Sequence, residues 1–298
     1  MALPRIGLTV GDPSGIGPEI AEQAARDPQV TNVCDPVLYG ATSGSGEHVF
    51  SPGKATADGG QVAFEAVCRA TRDALTGRLD AIATAPISKT AWRLAGLPWR
   101  GHTELLAHLT GASNVAMMFY TDRLRVVLAT VHVSLAEVPV LLTQSRIEST
   151  VELAHAELPR FGCSSPRLAL AGLNPHAGEQ GLIGQEEERV LKPAIDASRA
   201  RGVNIKGPFP ADTVFARALG GEFDAVVACY HDQGLIPIKL VAFGRSVNVT
   251  LGLPIVRTSV DHGTAYDIAG KGLANPASMV AALRLAARLV MRRTSVVT

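Results

Sequence analysis

The sequence predicts an α/β protein built as two lobes. Strand-length apolar runs such as Asp224-Ala-Val-Val-Ala-Cys-Tyr have charged entries and lead into polar residues, and they are separated by segments with apolar residues at helical spacing. Strands that read as continuous apolar runs are buried on both faces, as in parallel sheets. At 298 residues and 47% hydrophobic content, the chain can bury one large core or two linked ones, and two is the reading adopted. A formal net charge of +1 without a Lys/Arg run excludes a nucleic-acid face, and 5% aromatic content argues against base stacking.

The chain opens on the strand-like Arg5-Ile-Gly-Leu-Thr-Val, without a signal-peptide pattern. No apolar stretch approaches the roughly 20 residues of a membrane span. A cytoplasmic protein is expected, with no membrane partner. Cys34, Cys68, Cys163 and Cys229 form no CxxC pair and read as reduced thiols. The first strand runs into Val10-Gly-Asp-Pro-Ser-Gly-Ile-Gly-Pro-Glu-Ile, where Pro18 and Glu19 suit a first helical turn. Its glycine spacing is neither G-x-G-x-x-G nor a Walker loop, so the unit is a tight βα connection from which Asp12 and Ser14 can face a crevice.

Pro36–Tyr39 is the next strand, and Gly40–His48 is a loop by composition. A helix over Asp58–Leu75 precedes the strand Asp80–Ala85, which delivers Lys89 to the carboxyl rim or to a solvated helix start. Gly101-His-Thr-Glu begins another helix, whose N–H groups, with Thr103 and His102 alongside, suit an anion or an ordinary helix start. Gln144–Leu158 is helical, and the acidic helix start at Gln185–Glu188 is expected to face solvent. After Gly207-Pro-Phe-Pro, Asp212 opens a helix as N-cap or as crevice carboxylate. Ala277–Arg292 closes the chain as an amphipathic helix.

Three apolar strands each end in a histidine: Arg125–Val131 leads to His132, Arg167–Leu173 to His176, and Asp224–Tyr230 to His231. One such imidazole is ordinarily a structural residue. Three at equivalent strand ends, where loops of an open α/β sheet converge, suit a catalytic Zn²⁺ or similar ion with one open position. Cys229 is a possible fourth ligand, against the plainer reading of a packed strand thiol.

The strings GDPSGIGPE, GHTE, ATVHVSL, GLNPHAGE, GPFPADT, YHDQGLIPIK and FGRSVNVTLGLPIVRTSVDHGTA span nearly the whole chain, which on them resembles the 4-hydroxythreonine-4-phosphate dehydrogenase family of pyridoxal phosphate (pyridoxine) biosynthesis. The resemblance implies two α/β/α lobes of the isocitrate/isopropylmalate dehydrogenase type, not a Rossmann fold. Residues 1–100 with 250–298 would form the first lobe and 101–249 the second. It implies a homodimer with the site at the subunit interface and a divalent metal (Zn, Co or Mg) on His132, His176 and His231. Substrate would lie on His102, Thr103, Lys239, Asn248 and Arg257. The cofactor NAD would lie on His262, Gly263, Thr264, Ala265, Asp267 and Asn275, Asp267 disfavouring a 2′-phosphate.

The implied reaction is NAD-dependent oxidation of 4-phosphohydroxy-L-threonine with decarboxylation to 3-amino-2-oxopropyl phosphate, Asp212, Lys239 and His102 being the candidate proton acceptors. 4-Phospho-D-threonate or a cyclic dihydrodiol dicarboxylate is the alternative substrate. A phosphate acyltransferase and a non-catalytic metal-bound scaffold are the rival readings. Between Tyr39 and Ser51 the chain is shorter than that family's pattern, which bears on the sheet edge and on substrate choice.

Overall fold

The computed structural model describes residues 2–41 and 50–296. The loop expected at Gly40–His48 and the shortened segment fall mostly outside them. The described strands are β1 (Arg5–Thr9), β2 (Asp35–Tyr39), β3 (Ala81–Thr84), β4 (Ala116–Tyr120), β5 (Arg125–Leu128), β6 (Leu168–Ala171), β7 (Ile205–Phe209), β8 (Ala225–Ala228), β9 (Val247–Leu251) and β10 (Val256–Ser259). Contacts divide the chain into a discontinuous unit, residues 1–113 with 244–298, and a continuous one, residues 114–243. The sequence boundaries stood at 100/101 and 249/250. The helix that begins at His102 therefore belongs to the discontinuous unit, where it buries Leu105 and Leu106 and packs beside the helix Ala57–Leu75.

In the discontinuous unit the strand order is β2-β1-β3-β10-β9, parallel except for β9 against β10. A side chain at Gly7 would point at Ala70, so the face holding Gly7, Ile82 and Arg257 looks towards the helix Ala57–Leu75. The opposite face carries Thr258, whose hydroxyl donates to the Ala282 carbonyl of the closing helix Ala277–Val296. Helices thus cover both faces, which suits strands with no polar edge to spare: Ile6, Leu8, Ile82 and Ala83 are all fully buried. The edge strand β2 is only half-buried.

The continuous unit has the order β4-β5-β8-β6-β7, parallel except for β4 against β5. Val126, Leu128, Val226 and Ala228 meet Val214, Phe215, Leu235 and Ile238 of the helices Ala211–Leu219 and His231–Ala242 in one apolar core. Helices Gln144–Glu157 and Lys192–Ala200 pack together and touch β5 and β7 respectively. The α/β fold read from the apolar runs is the one observed. Among the described residues, no helix is long and apolar enough to cross a membrane.

Two local expectations are corrected. Asp212 is not an N-cap: Pro210 holds that position and Asp212 is an exposed acid in the first turn. The acidic stretch at Gln185–Glu188 does not all face solvent either, because a π-turn at Glu187–Leu191 rotates Glu187 inward to 1% exposure.

Gly60 marks a close contact between the helices Ala57–Leu75 and Lys89–Leu94 of the discontinuous unit. A Cβ there would stand 2.3 Å from the Ala91 carbonyl oxygen, an atom fixed in the turn that carries Trp92. Gly60→Ala is expected to lower the unfolding free energy by on the order of 3 kcal/mol, with a parallel fall in the urea midpoint and an unchanged m-value.

Candidate functional site

Register decides which polar groups meet in the discontinuous unit. Thr9 pairs with Thr84, Thr84 with Ser259, and Ser259 with Asn248, so the four project from one face in a row across β1, β3, β10 and β9. Arg257 lies on the same face one step back along β10 and is 2% exposed. Its guanidinium donates to two neutral hydroxyls, Thr250 Oγ1 at 2.9 Å and Thr84 Oγ1 at 2.8 Å, and its Nε is buried without a partner. Burial pulls its pKa down to about 9, against the pull of Glu104. A buried cation held by neutral groups is arranged for an anion.

His102 stands on the same side. It opens the helix His102–Thr110, whose N-terminus has Gly101 as cap and no side-chain cap bond, with Thr103 half-buried in the first turn. The imidazole packs edge-on to Trp92 with ring centroids 5.9 Å apart, and its Nε2 is buried and unpartnered. Burial, and after it the Arg257 charge, holds its pKa well below the ordinary histidine value. Asn248 adds a buried Oδ1, also without a partner. His102, Asn248 and Arg257 thus bring unsatisfied donors and acceptors to one face. Lys89, by contrast, is exposed at the start of its helix.

Beside this face, the loop from Asp261 to Asn275 is tied down to the βα turn after β1. Tyr266 donates to Asp12 Oδ2 at 2.6 Å, Ser14 N donates to Asp12 Oδ1 at 2.9 Å, and Ile16 N donates to the Thr264 carbonyl at 2.9 Å. Asp12 is 1% exposed, so it serves as a post for that loop and does not stand open in a crevice. Burial, then the bond to Asp12, pushes the Tyr266 phenol up to about 12. Along the loop, His262 Nδ1 lies 3.1 Å from the Gly263 carbonyl, and Gly263 has no atom within 4 Å of where a side chain would start. Ala265 has φ 43°, Asp267 is exposed, and Asn275 Oδ1 accepts from Ala277 N at the start of the closing helix. The loop thus leaves the Gly263 backbone open and the Asp267 carboxylate exposed.

The histidines belong to the continuous unit. His132 and His231 border one cavity with Thr130, Leu135, Tyr230 and Asp232, their ring centroids 5.7 Å apart. His231 Nδ1 lies 2.7 Å from Asp232 Oδ1, the kind of carboxylate contact through which an imidazole's other nitrogen is oriented towards a cation. His176 does not join them. Among the described residues no three His, Cys, Asp or Glu side chains are placed to hold a metal, and the His176 side chain is 66% exposed, with Glu179 Oε1 3.8 Å from its Nδ1. Within this one chain His132 and His231 face one cavity and His176 stands apart from them.

The reason lies in the backbone. His176, Ala177, Gly178, Glu179 and Gln180 all have positive φ, a left-handed turn that costs ~1–2 kcal/mol for each non-glycine residue and directs His176 outward. His132 is left-handed too, at φ 44°. Cys229 is no ligand: it is fully buried, its Sγ contacts the Ala171 carbonyl at 3.3 Å, and burial pushes its thiol far up.

Lys239, in the last turn of its helix, has its ammonium 5.9 Å from the Phe243 ring centre. Sequence reading missed Gln233. It is buried, accepts from Cys229 N and donates to the Gly172 carbonyl, each at 2.7 Å, and so links the exit of β8 to the exit of β6. Its place two residues after His231 is the only sequence signal.

A family model described as pyridoxal phosphate biosynthetic protein PdxA matches residues 17–286. The 4-hydroxythreonine-4-phosphate dehydrogenase of Desulforapulum autotrophicum is 44% identical, covering 95% of each chain. The D-threonate 4-phosphate dehydrogenase of Salmonella typhimurium is 42% identical over 97% of this chain and 100% of its own. A crystal structure of 4-hydroxythreonine-4-phosphate dehydrogenase from Klebsiella pneumoniae is similar with a TM-score of 0.86 at 41% identity, covering 97% of this chain and 98% of that one. Isocitrate dehydrogenase from Methylococcus capsulatus, at 18% identity and a TM-score of 0.52 over 99% of this chain and 90% of its own, shares the fold.

A depressed His102 pKa makes stability depend on pH. The unfolded chain binds a proton near pH 6.5 and the folded chain does not, so stability is lost as pH falls below that value. Wild type is expected to weaken relative to His102→Gln by up to about 1.4 kcal/mol per pH unit below about pH 6.5. Urea unfolding of both proteins across that range checks this, and parallel curves would place the proton on the folded imidazole.

Proposed function

This chain belongs to the PdxA family of pyridoxal phosphate biosynthetic proteins, a family of dehydrogenases, and on that premise we propose that it oxidises 4-phosphohydroxy-L-threonine with NAD and decarboxylates the product to 3-amino-2-oxopropyl phosphate. The observation that carries the reading is the polar face of the discontinuous unit, where the buried Arg257 donates to two neutral hydroxyls, with an unpartnered Nε, beside the unsatisfied His102 and Asn248.

Arg257 would take an oxyanion of the substrate, with the helix start at His102 and Thr103 as a second donor set. His102, neutral at physiological pH, would orient the substrate through Nε2 without itself taking the proton. Asp212 and Lys239, both on the continuous unit with the histidines, are then the proton acceptors to test. NAD, held by the His262–Asn275 loop, would supply the hydride acceptor for the carbinol hydrogen, and the hydroxyl proton would pass to Asp212 or Lys239. The β-keto acid then releases CO₂, the electrons of the breaking C–C bond passing towards the ketone oxygen.

His132 and His231 would hold a divalent ion (Zn, Co or Mg), whose contribution when bound is to lower the pKa of the substrate hydroxyl. His176, turned outward, would serve the corresponding site of a second copy, which makes the homodimer part of the active unit. His262 to Asn275 would receive the adenosine half of NAD, with Asp267 set against a 2′-phosphate. A cytoplasmic location is part of the same proposal.

4-Phospho-D-threonate is the second substrate to test, because a D-threonate 4-phosphate dehydrogenase is almost as similar. NADH formation with each acid, and with a dihydrodiol dicarboxylate, is measured after chelation and after restoring Zn²⁺, Co²⁺ or Mg²⁺. The expected result is turnover of 4-phosphohydroxy-L-threonine that chelation abolishes and metal restores, and failure with every acid and metal overturns the reading. Arg257→Lys is expected to lower kcat/KM roughly 10- to 100-fold, the loss of a bidentate charged contact.

A further inference from the structure

The proposed mechanism leaves one buried carboxylate in the continuous unit without a task. Glu187 is 1% exposed and, among the described residues, pairs with no cation: its Oε1 accepts from Asn174 N at 2.7 Å and its Oε2 from Asn174 Nδ2 at 2.9 Å. Asn174 Nδ2 also donates to Glu186 Oε2 at 2.8 Å. Glu187 opens the π-turn and Glu186 is its N-cap, while Asn174 is the N-cap of the Pro175–Gly181 segment that carries the left-handed turn and His176. The turn lies close over the carboxylate. A Cβ at Gly178 would stand 2.6 Å from Glu187 Oε2, and one at Gly172 would stand 2.9 Å from Ala177 Cα and 3.3 Å from Glu187 Oε1. An uncommon backbone at both ends of one contact, a π-turn on one side and consecutive left-handed residues on the other, persists only where the surroundings over-determine it.

We propose that Glu187 is a positioning residue for His176: its two oxygens clamp Asn174 and hold the left-handed turn that presents the imidazole outward for a divalent cation. The inference rests on the metal reading of His176 given above. Without the carboxylate, Asn174 loses both buried acceptor atoms of Glu187, and the turn is free to relax towards right-handed backbone, carrying the ring away from its place. Glu187 touches neither substrate nor ion and acts through the geometry of the turn.

The test titrates the full-length, metal-free protein with Co²⁺, reading the visible absorption of the bound ion and competition with a chelating dye. Wild type, Glu187→Ala, Glu187→Gln and His176→Ala are compared, with circular dichroism as the control for folding. Glu187→Ala is expected to weaken Co²⁺ binding roughly 10- to 100-fold and to change the visible bands, as loss of an orienting partner does in other metal sites. Glu187→Gln, which keeps one acceptor oxygen for Asn174, is expected to fall between. If Glu187→Ala folds and binds Co²⁺ as wild type does with the same spectrum, the proposal is overturned, even if its melting temperature drops. Should Glu187→Ala not fold, wild-type affinity and spectrum in Glu187→Gln overturn it equally. Equal Co²⁺ binding by wild type and His176→Ala sinks the metal reading itself, and this inference with it.

Discussion

Parallel pairing puts the carboxyl end of every strand at the same edge of its sheet. In this chain that constraint distributes the chemistry. β1, β3 and β10 run the same way, so Thr9, Thr84 and Ser259 come level with one another, and antiparallel β9 brings Asn248 to the same row from its opposite end. In the other unit β5, β6 and β8 are likewise parallel, and the residues that follow them are the three histidine-bearing exits. A one-residue slip in any of these registers would turn the polar set into the opposite, apolar layer.

Within that frame, Arg257 shows how a fold can keep a charge available. A carboxylate partner would compensate the buried guanidinium but would also occupy it. Two threonine hydroxyls satisfy individual N–H groups and Glu104 acts on the charge only through space, so a desolvation cost remains that an incoming anion relieves. The depression of its pKa by burial is the same imbalance expressed as a proton affinity. The same unit fixes the Asp261–Asn275 loop through Asp12 and Tyr266, so a rigid loop and an unsatisfied cation share one scaffold.

Much of this was legible in the chain itself. Apolar runs gave the strands, and the polar residues directly after them gave His132, His231 and the entry to the His176 turn, because the exit of a buried strand is a local property. What stayed hidden depends on partners distant in sequence. Glu187 looks like a solvated helix acid until a π-turn rotates it beneath Asn174, and no propensity signals that rotation. The left-handed run from His176 to Gly181 holds four residues other than glycine, and the glycines at Gly178 and Gly181 mark a turn without showing that its neighbours share the handedness. Asp12 read as a crevice acid because its tyrosine partner sits 254 positions away. The domain limits moved for a similar reason: the helix at His102 follows a loop that reads as a break, yet its apolar side packs with what precedes it.

The discontinuity of the first unit has a consequence for synthesis on the ribosome. β10, the strand that completes the pairing of β3 on one side and carries β9 on the other, emerges only after the whole intervening unit. Until then the nascent amino-terminal segment holds an open sheet edge at β3, while residues 114–243 already contain every strand of their own core. The middle unit can therefore close before the flanking one does, and β3 waits for β10 to finish its hydrogen bonding.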